Sequence, residues 1–371
     1  MQQPKICFRI GDLTKVALIG TKGDFSKANG RGVHRYMYEL YNGMKDKDKD
    51  VIIDKIEAPS LPIVHTAFGL TFLFANLFRD FSKYDVVHNL SLKPFFNLGR
   101  KRFVLLSTVH DLARFERGEL GGTGKQSVKM KLWKGITVRL SLASVLRSDI
   151  IIAASSLTKR DLVSLLGFDS KRIFVINPGS GDARFFSMIK AKKRKRTFIL
   201  GYVGSFLKKK NVEFAIRSFR KVKGREFRFE VWGNKAYEYG RLLELSRGDD
   251  RIKFMGFAPE DKIVDIYDGF DAFVFPALYE GFALPIFEAK ARGIPVIACR
   301  NAQIPEETLK YCFLAGDEEE MAKILVMLRK NGYDKKTMRR ALEYARSFTW
   351  EKTCDNTIEI YKKAIKSKEG I

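Results

Sequence analysis

Short apolar runs rich in β-branched residues alternate with longer amphipathic stretches along the whole chain, a pattern typical of βα units that feed parallel sheets. In the first half the pattern predicts strands at Lys15–Gly20, Val51–Ile56, Val86–Asn89, Phe103–Thr108, Asp149–Ala154 and Ile173–Asn177. It predicts helices over 33–44, 128–147 and 157–166. Ser155 and Ser156 are suited to cap the start of the third helix, and Gly167 is suited to end it.

The same alternation restarts in the second half. Strands are predicted at Phe198–Val203, Phe227–Trp232, Arg251–Met255, Ala272–Phe275 and Pro295–Cys299. We therefore predict an α/β chain with two Rossmann-like, doubly wound domains, over 1–185 and 186–349, followed by a helix over 350–371 that packs back on the first domain. The segment 181–196 ends in five consecutive basic residues, whose repulsion indicates a solvated linker.

Doubly wound sheets bind ligands outside the carboxyl ends of their strands. Two such domains that face each other would form an interdomain cleft lined by loops from both. Catalytic and binding residues are therefore expected in the loops that follow strands.

The charge balance limits the classes of binding partner that are expected. Lys and Arg number 68 against 43 Asp and Glu, a formal net charge of +25, which favours nucleic acid, anionic lipid or phosphorylated substrates; a basic surface without a specific partner is the alternative. The four cysteines lack metal-ligand spacing and fit a reducing, cytoplasmic compartment. No secretory signal is recognised at the start, and the most apolar segment, Leu61–Phe81, is interrupted by polar residues, so no bilayer crossing is predicted.

Two loops are candidates for phosphate binding. The first, Asn29–Val33, includes Gly30 and Gly32 and precedes a helix; the second begins at Gly204 and runs through three lysines to Asn211. Backbone N–H groups and cations before a helix N-terminus can hold an anion. A glycine turn needed only for geometry, and lysines that only face solvent, are the alternatives.

A pair of glutamates follows the strand that ends at Phe275. Glu280 lies in the loop, and Glu288 lies in a helix predicted to begin near Ala283. Ionised carboxylates accept hydrogen bonds from adjacent hydroxyl groups, which suits a polyhydroxylated ligand. The alternative is that Glu280 interacts with the helix dipole and Glu288 is a surface charge.

The stretch Glu280–Glu288 resembles the Glu-x7-Glu signature of retaining glycosyltransferases with the GT-B fold, above all family 4. The resemblance extends in order over nearly the whole chain. Its further matches are 109–112, 155–162, Gly204 with Lys210-Asn211, 273–276, 291–298 and 348–350.

The resemblance implies roles for matching residues. Glu288 would hold the donor's ribose, Glu280 the transferred sugar, and Lys210 the diphosphate. His110 would lie beside the reacting face of the sugar. The remaining donor contacts would come from Gly32, Gly204, Ser205, Lys209, Gly281, Phe282, Ala283 and Leu284. Two positions depart from the family pattern: Ser205 stands where an Arg is common, so that Lys208 or Lys209 would supply the charge, and Ala283 replaces a glycine.

The resemblance also implies transfer of a hexose from a UDP- or GDP-linked donor with retention of configuration and no side-chain nucleophile. No cofactor is expected. No metal is expected either, because an Asp-x-Asp grip at a strand end is missing and Asp46-Lys47-Asp48 lies in a charged surface turn.

The acceptor is expected to be a glycan or lipid-linked. The stretch Leu120–Ser148 has no acidic residue, and with the apolar segment around Leu70–Phe78 it suggests that the first domain rests on an anionic membrane face. Its basic residues are Lys125, Lys129, Lys131, Lys134, Arg139 and Arg147. An ordinary basic helix beside a buried one explains the same pattern. Two other classes stay open: a nucleic-acid-binding protein, disfavoured because aromatic residues do not interleave with the basic ones, and an inactive scaffold of the same fold, to which Ser205 points.

Overall fold

The computed structural model describes residues 13–26, 32–58, 67–99, 102–112, 128–180, 183–187, 197–235 and 238–369. These residues form two compact units. The first extends to Gly179 and resumes at Trp350, and the second covers Ser180–Thr349.

The first unit contains a six-stranded parallel sheet with the strand order β2-β1-β3-β4-β5-β6. Its strands are β1 (Thr14–Thr21), β2 (Val51–Ala58), β3 (Val86–Asn89), β4 (Val104–Val109), β5 (Ile150–Ala153) and β6 (Ile173–Val175). Its helices are α1 (Val33–Met44), α2 (Ala67–Leu77), α3 (Val128–Leu146), α4 (Ser156–Leu166) and α12 (Trp350–Glu369). The chain direction across the sheet reverses between β1 and β3.

The second unit also has six parallel strands, in the order β12-β11-β10-β7-β8-β9. They are β7 (Phe198–Val203), β8 (Phe227–Trp232), β9 (Ile252–Gly256), β10 (Ala272–Phe275), β11 (Val296–Cys299) and β12 (Phe313–Ala315). Its helices are α5 (Val212–Lys221), α6 (Tyr239–Ser246), α7 (Ile263–Gly269), α8 (Leu284–Ala291), α9 (Glu306–Leu309), α10 (Glu318–Asn331) and α11 (Lys335–Arg346). This is the strand order of a Rossmann fold, with its reversal between β7 and β10.

The predicted fold class, an α/β chain with two Rossmann-like doubly wound domains, is confirmed. All eleven predicted strands are present, with ends that agree to within two residues. The predicted caps of α4 are also present: the Ser155 side chain accepts the Thr158 N–H, and Gly167 adopts the left-handed conformation, φ 67°. The strand β12, of three residues, was not predicted.

The two units meet in sequence at Gly179 and Ser180, a few residues before the boundary that the sequence suggested. Phe185, beyond that point, is fully buried in the core of the second unit beside Tyr267, with ring centroids 5.4 Å apart. This short segment therefore packs with the unit that follows it.

The last helix, α12, belongs to the first unit and packs against α1. The Cys354 side chain is buried over the backbone of α1, where a Cβ added to Gly43 would lie 2.6 Å from Sγ. Farther along, the hydroxyl of Tyr361 is 2.7 Å from Nδ1 of His88 on β3. These contacts tie the end of the described chain to its first sheet.

Candidate active site

Two side chains from distant parts of the second unit meet beside the reversal between β7 and β10. Lys210 ends a 3-10 turn, Lys208–Lys210, after β7, and Glu280 lies in the loop after β10. The ammonium of Lys210 donates to Oε1 of Glu280 in a tight ion pair. The two side chains are only 18% and 14% exposed. The reversal point of such a sheet is the usual ligand site, so both charges lie at an edge suited to bind a ligand.

Backbone hydrogen bonds hold the two loops in place. The N–H of Leu278 donates to the carbonyl of Lys209, 2.9 Å away. The N–H of Glu280 donates to the carbonyl of Gln303, at 3.1 Å, and the N–H of Gln303 donates to the carbonyl of Leu278, at 2.8 Å. Glu280 is thus anchored on one side to the lysine turn and on the other to the segment after β11.

Gly204 and Ser205 lie beside Tyr202, whose hydroxyl donates to the carbonyl of Ser205 at 2.8 Å. Burial, and the nearby charge of Glu280, raise the pKa of Tyr202 well above its usual range, so the phenol stays a neutral donor. A Cβ on Gly204 would come within 2.6 Å of the Tyr202 hydroxyl oxygen, so a side chain at this position would clash.

The start of α8 presents unused backbone donors. Among the described residues, the N–H groups of Gly281, Phe282, Ala283 and Leu284 donate no hydrogen bond. Ala283 precedes the helix in the left-handed conformation, φ 61°, which explains why glycine is common there. Such a group of N–H donors at a helix N-terminus is suited to bind an anion.

Phe282 fixes this turn to the protein core. Its ring stacks on Phe287, with centroids 4.7 Å apart and an interplanar angle of 8°. Its carbonyl accepts the hydroxyl of buried Thr308 at 2.7 Å. The backbone of the turn before α8 is therefore held in place by the core.

Glu288 lies inside α8 and is 4% exposed, which excludes the interpretation as a surface charge. The hydroxyl of buried Tyr267 donates to its Oε2 at 2.9 Å. A buried carboxylate held in one orientation on a helix that faces the same loop is consistent with recognition of vicinal hydroxyl groups. The structure does not test the individual roles of these residues, which stay predictions.

In the first unit, His110 follows β4. Its Nε2 is 3.0 Å from the carbonyl oxygen of Leu90, and its ring meets Tyr36 edge to face at 4.7 Å. Gly32 precedes α1 with φ 75° and is exposed. His88 is a core residue instead: both ring nitrogens are hydrogen-bonded, to Tyr361 and to Thr108, and burial followed by the charge of His110 lowers its pKa to about 3.

Some predicted features lie outside the described residues. They are Asn29–Arg31, Cys7, Leu61–Thr66, Lys125, the side chains of Leu70, Lys129, Lys131 and Lys134, and the basic run Lys192–Arg196.

Sequence reasoning missed a polar cluster after β1 and β3, formed by Thr21, Asp24, His34 and Lys93. A signal was available, because Asp24 and Lys93 each lie a few residues beyond a predicted strand end. Within the described ranges, no group of three or more His, Cys, Asp or Glu side chains is arranged to hold a metal ion. In the same part of the chain, no helix has both the length and the apolar character that crossing a bilayer requires.

Comparison with known proteins gives two family matches that together span most of the chain. Residues 30–180 match the model described as glycosyltransferase family 4, and residues 197–331 match the model described as glycosyl transferases group 1. The chain is a group 1 glycosyltransferase of the GT-B fold. The family that the Glu-x7-Glu stretch suggested is thus confirmed.

Several named glycosyltransferases are similar to this one. It is 27% identical to an O-antigen chain mannosyltransferase B of Escherichia coli over 43% of the chain and 45% of that protein. It is 24% identical to a D-inositol 3-phosphate glycosyltransferase of Salinispora tropica over 82% of the chain and 69% of that protein. Among solved structures, HepE of Anabaena, crystallised with UDP and glucose, matches with a TM-score of 0.63 at 14% identity over 94% of the glycosyltransferase and 100% of that chain, a likeness of fold.

Proposed function

We propose that the protein transfers a hexose from a UDP- or GDP-linked donor to a glycan or lipid-linked acceptor, with retention of configuration and without a divalent metal. The observation that carries this proposal is the meeting of Lys210, Glu280 and the free N–H groups before α8 at one sheet reversal. A cation and a set of backbone donors suit a diphosphate, and a carboxylate beside them suits a sugar. The mannosyltransferase relative and the UDP- and glucose-bound HepE support such a donor.

In the reaction, the bond between the anomeric carbon and the diphosphate oxygen breaks, and the acceptor oxygen bonds to the same carbon on the same face. The acceptor proton passes to the departing diphosphate. Lys210 and the N–H groups at 281–284 would stabilise the charge that develops on that leaving group. Glu280 would hold sugar hydroxyls and Glu288 the ribose, so that catalysis rests on orientation and charge stabilisation.

Isothermal titration with UDP, GDP, ADP and their sugars tests the donor site. We expect one uridine or guanosine nucleotide to bind, and Glu288→Ala to weaken it at least about tenfold, since hydrogen bonds to charged groups contribute roughly 1.5–3 kcal/mol. Glu306→Ala, which removes an exposed glutamate from α9, is the matched control. Unchanged affinity in Glu288→Ala, or binding of none of these nucleotides, would refute the assignment.

An anionic membrane face is the second part of the proposal. Phe74, Phe78 and Leu98 are 63%, 79% and 69% exposed, and the N–H of Leu98 donates to the carbonyl of Leu77 at 2.9 Å, which joins the two segments. Exposed aromatic side chains with basic neighbours such as Arg79 are typical of interfacial binding.

Co-sedimentation with phosphatidylglycerol vesicles and with phosphatidylcholine vesicles checks this part. We expect binding to the anionic vesicles, lost in Phe74→Ser/Phe78→Ser and kept in Leu165→Ser, which removes an equally exposed leucine from α4. Equal binding to both lipids would exclude the membrane partner. Nucleic-acid binding, the other explanation for the net charge, is not favoured by the family.

A further inference from the structure

The first sheet has a reversal point of its own, between β1 and β3. Ligands of doubly wound sheets bind in the crevice outside the carboxyl ends at such a point. The cluster of Thr21, Asp24, His34 and Lys93 lies there: Thr21 ends β1, Asp24 and His34 follow it, and Lys93 follows β3. None of these residues belongs to the proposed donor site.

Asp24 is the centre of the cluster and is 3% exposed. Its Oδ2 accepts the N–H of Thr21 and the ammonium of Lys93, both at 2.7 Å. Lys93 also donates to the hydroxyl of Thr21 at 2.7 Å. Burial alone would raise the pKa of Asp24, but contacts with His34, Lys93 and the Thr21 N–H outweigh it and hold that pKa well below the usual range. Asp24 is therefore a fixed carboxylate at neutral pH.

His34 meets the other oxygen of this carboxylate. Its Nδ1 is buried 3.3 Å from Oδ1 of Asp24, close enough for an ion pair but not aligned as a hydrogen bond, and it has no hydrogen-bond partner among the described residues. The side chain as a whole is 44% exposed, so the open part of the ring is the side that carries Nε2. Functional pairs are often poorly aligned in the free protein and tighten into hydrogen bonds when the substrate binds.

The pairing fixes which ring nitrogen carries the proton. A neutral imidazole has one N–H donor and one acceptor nitrogen, and a carboxylate at Nδ1 selects the Nδ1–H form. Nε2 is then an acceptor directed toward solvent. Such a nitrogen accepts a hydrogen bond from a hydroxyl group and has no proton to donate to a phosphate.

A purely structural role accounts for Asp24 and Lys93, whose charges balance each other and join the loops after β1 and β3. A structural role does not account for His34, because the charges of Asp24 and Lys93 already balance without it. The backbone is shaped to allow the arrangement: a Cβ on Gly20 would lie 2.7 Å from Cε of Met37 and 3.1 Å from Oδ2 of Asp24.

We propose that His34 is an acceptor-positioning residue whose Nε2 receives a hydrogen bond from a hydroxyl of a polyhydroxylated acceptor, with Asp24 holding the ring. This inference rests on the glycosyl transfer proposed above and names the acceptor by its chemistry, a sugar or cyclitol hydroxyl.

Nuclear magnetic resonance of the full chain with labelled histidines tests it without knowledge of the natural acceptor. The chain has four histidines, so single His→Gln variants assign the spectrum. Long-range proton–nitrogen spectra at pH 8.5 report the tautomer, and the probes are methyl α-mannoside, methyl α-glucoside, N-acetylglucosamine and myo-inositol. We expect His34 to carry its proton on Nδ1 and its ring resonances to shift saturably with at least one probe.

The variants separate this role from a structural one. Asp24→Asn should move the proton of His34 to Nε2 and weaken binding of the probe at least about tenfold, an effect of roughly 1.4 kcal/mol. Asn42→Ala, on the same helix as His34, should change neither the tautomer nor the affinity for the probe. A proton on Nε2 in the wild type, or no response of His34 to any probe, would overturn the inference. Titration of the same sample with UDP and GDP shows separately whether the donor site works, so the two failures are distinguishable.

Discussion

Lys210 and Glu280 are 70 positions apart in sequence and form a partly buried ion pair beside the reversal between β7 and β10. Each residue has a predicted partner in the donor: the diphosphate for Lys210 and the sugar for Glu280. The two side chains therefore neutralise each other. Under the proposed roles, donor binding would exchange this ion pair for contacts with the diphosphate and the sugar.

Replacing Lys210 should slow transfer far more than it weakens folding. Loss of one preorganised donor to a developing negative charge typically costs about 10²–10³-fold in turnover. We expect Lys210→Ala to lose that much, measured as nucleoside diphosphate released from the sugar nucleotide identified by titration. Lys223→Ala, which removes an exposed lysine that follows α5, should retain the wild-type rate. Equal rates in both variants would remove Lys210 from the site.

Ala283 pays a conformational cost that glycine would avoid. A left-handed conformation disfavours an L-residue by about 1–2 kcal/mol, while glycine loses about 0.4–1 kcal/mol through the unfolded chain. Ala283→Gly should therefore raise the free energy of unfolding by about 0.5–1 kcal/mol, measured by urea denaturation. Ala289→Gly, inside α8, should lower it by about 1 kcal/mol or more. Destabilisation by both changes would show that φ at residue 283 is not strained.

The contact between α1 and α12 can be tested with a double-mutant cycle. Alanine favours a helix over glycine by about 1 kcal/mol, yet the added Cβ in Gly43→Ala would lie 2.6 Å from Sγ of Cys354. We expect a net loss of about 1–3 kcal/mol from overpacking. In the Cys354→Ala background that penalty should disappear, because the remaining Cβ is 3.9 Å from the new methyl group. Additive effects in thermal or urea unfolding would contradict this packing.

Buried His88 predicts a specific dependence of stability on pH. Its pKa is about 3 in the folded protein against 6.5 as the ordinary value, so between these values only the unfolded chain binds the proton. Stability should be fully present above pH 6.5 and should fall as the pH is lowered, by about 1.4 kcal/mol per unit or roughly 2 kcal/mol between pH 6.5 and 5. The slope of the unfolding free energy over this range should be smaller in His88→Gln. An identical slope in the variant would exclude His88 as its source.

The sequence by itself determined the alternation of strands and helices, the caps of α4 and the family. These features depend only on residues that are close in sequence: the apolar period, Ser155, Gly167, and the spacing of Glu280 and Glu288. Only the tertiary structure decided that Lys210 pairs with Glu280, that Glu288 is buried against Tyr267, and that Asp24 joins His34 to Lys93. These pairings depend on strand order, because parallel neighbours such as β7 and β10 bring together loops that are distant in the chain. The surroundings of His88 and His34 were decided in the same way, since the fold buries His88 in the core and leaves one edge of His34 open.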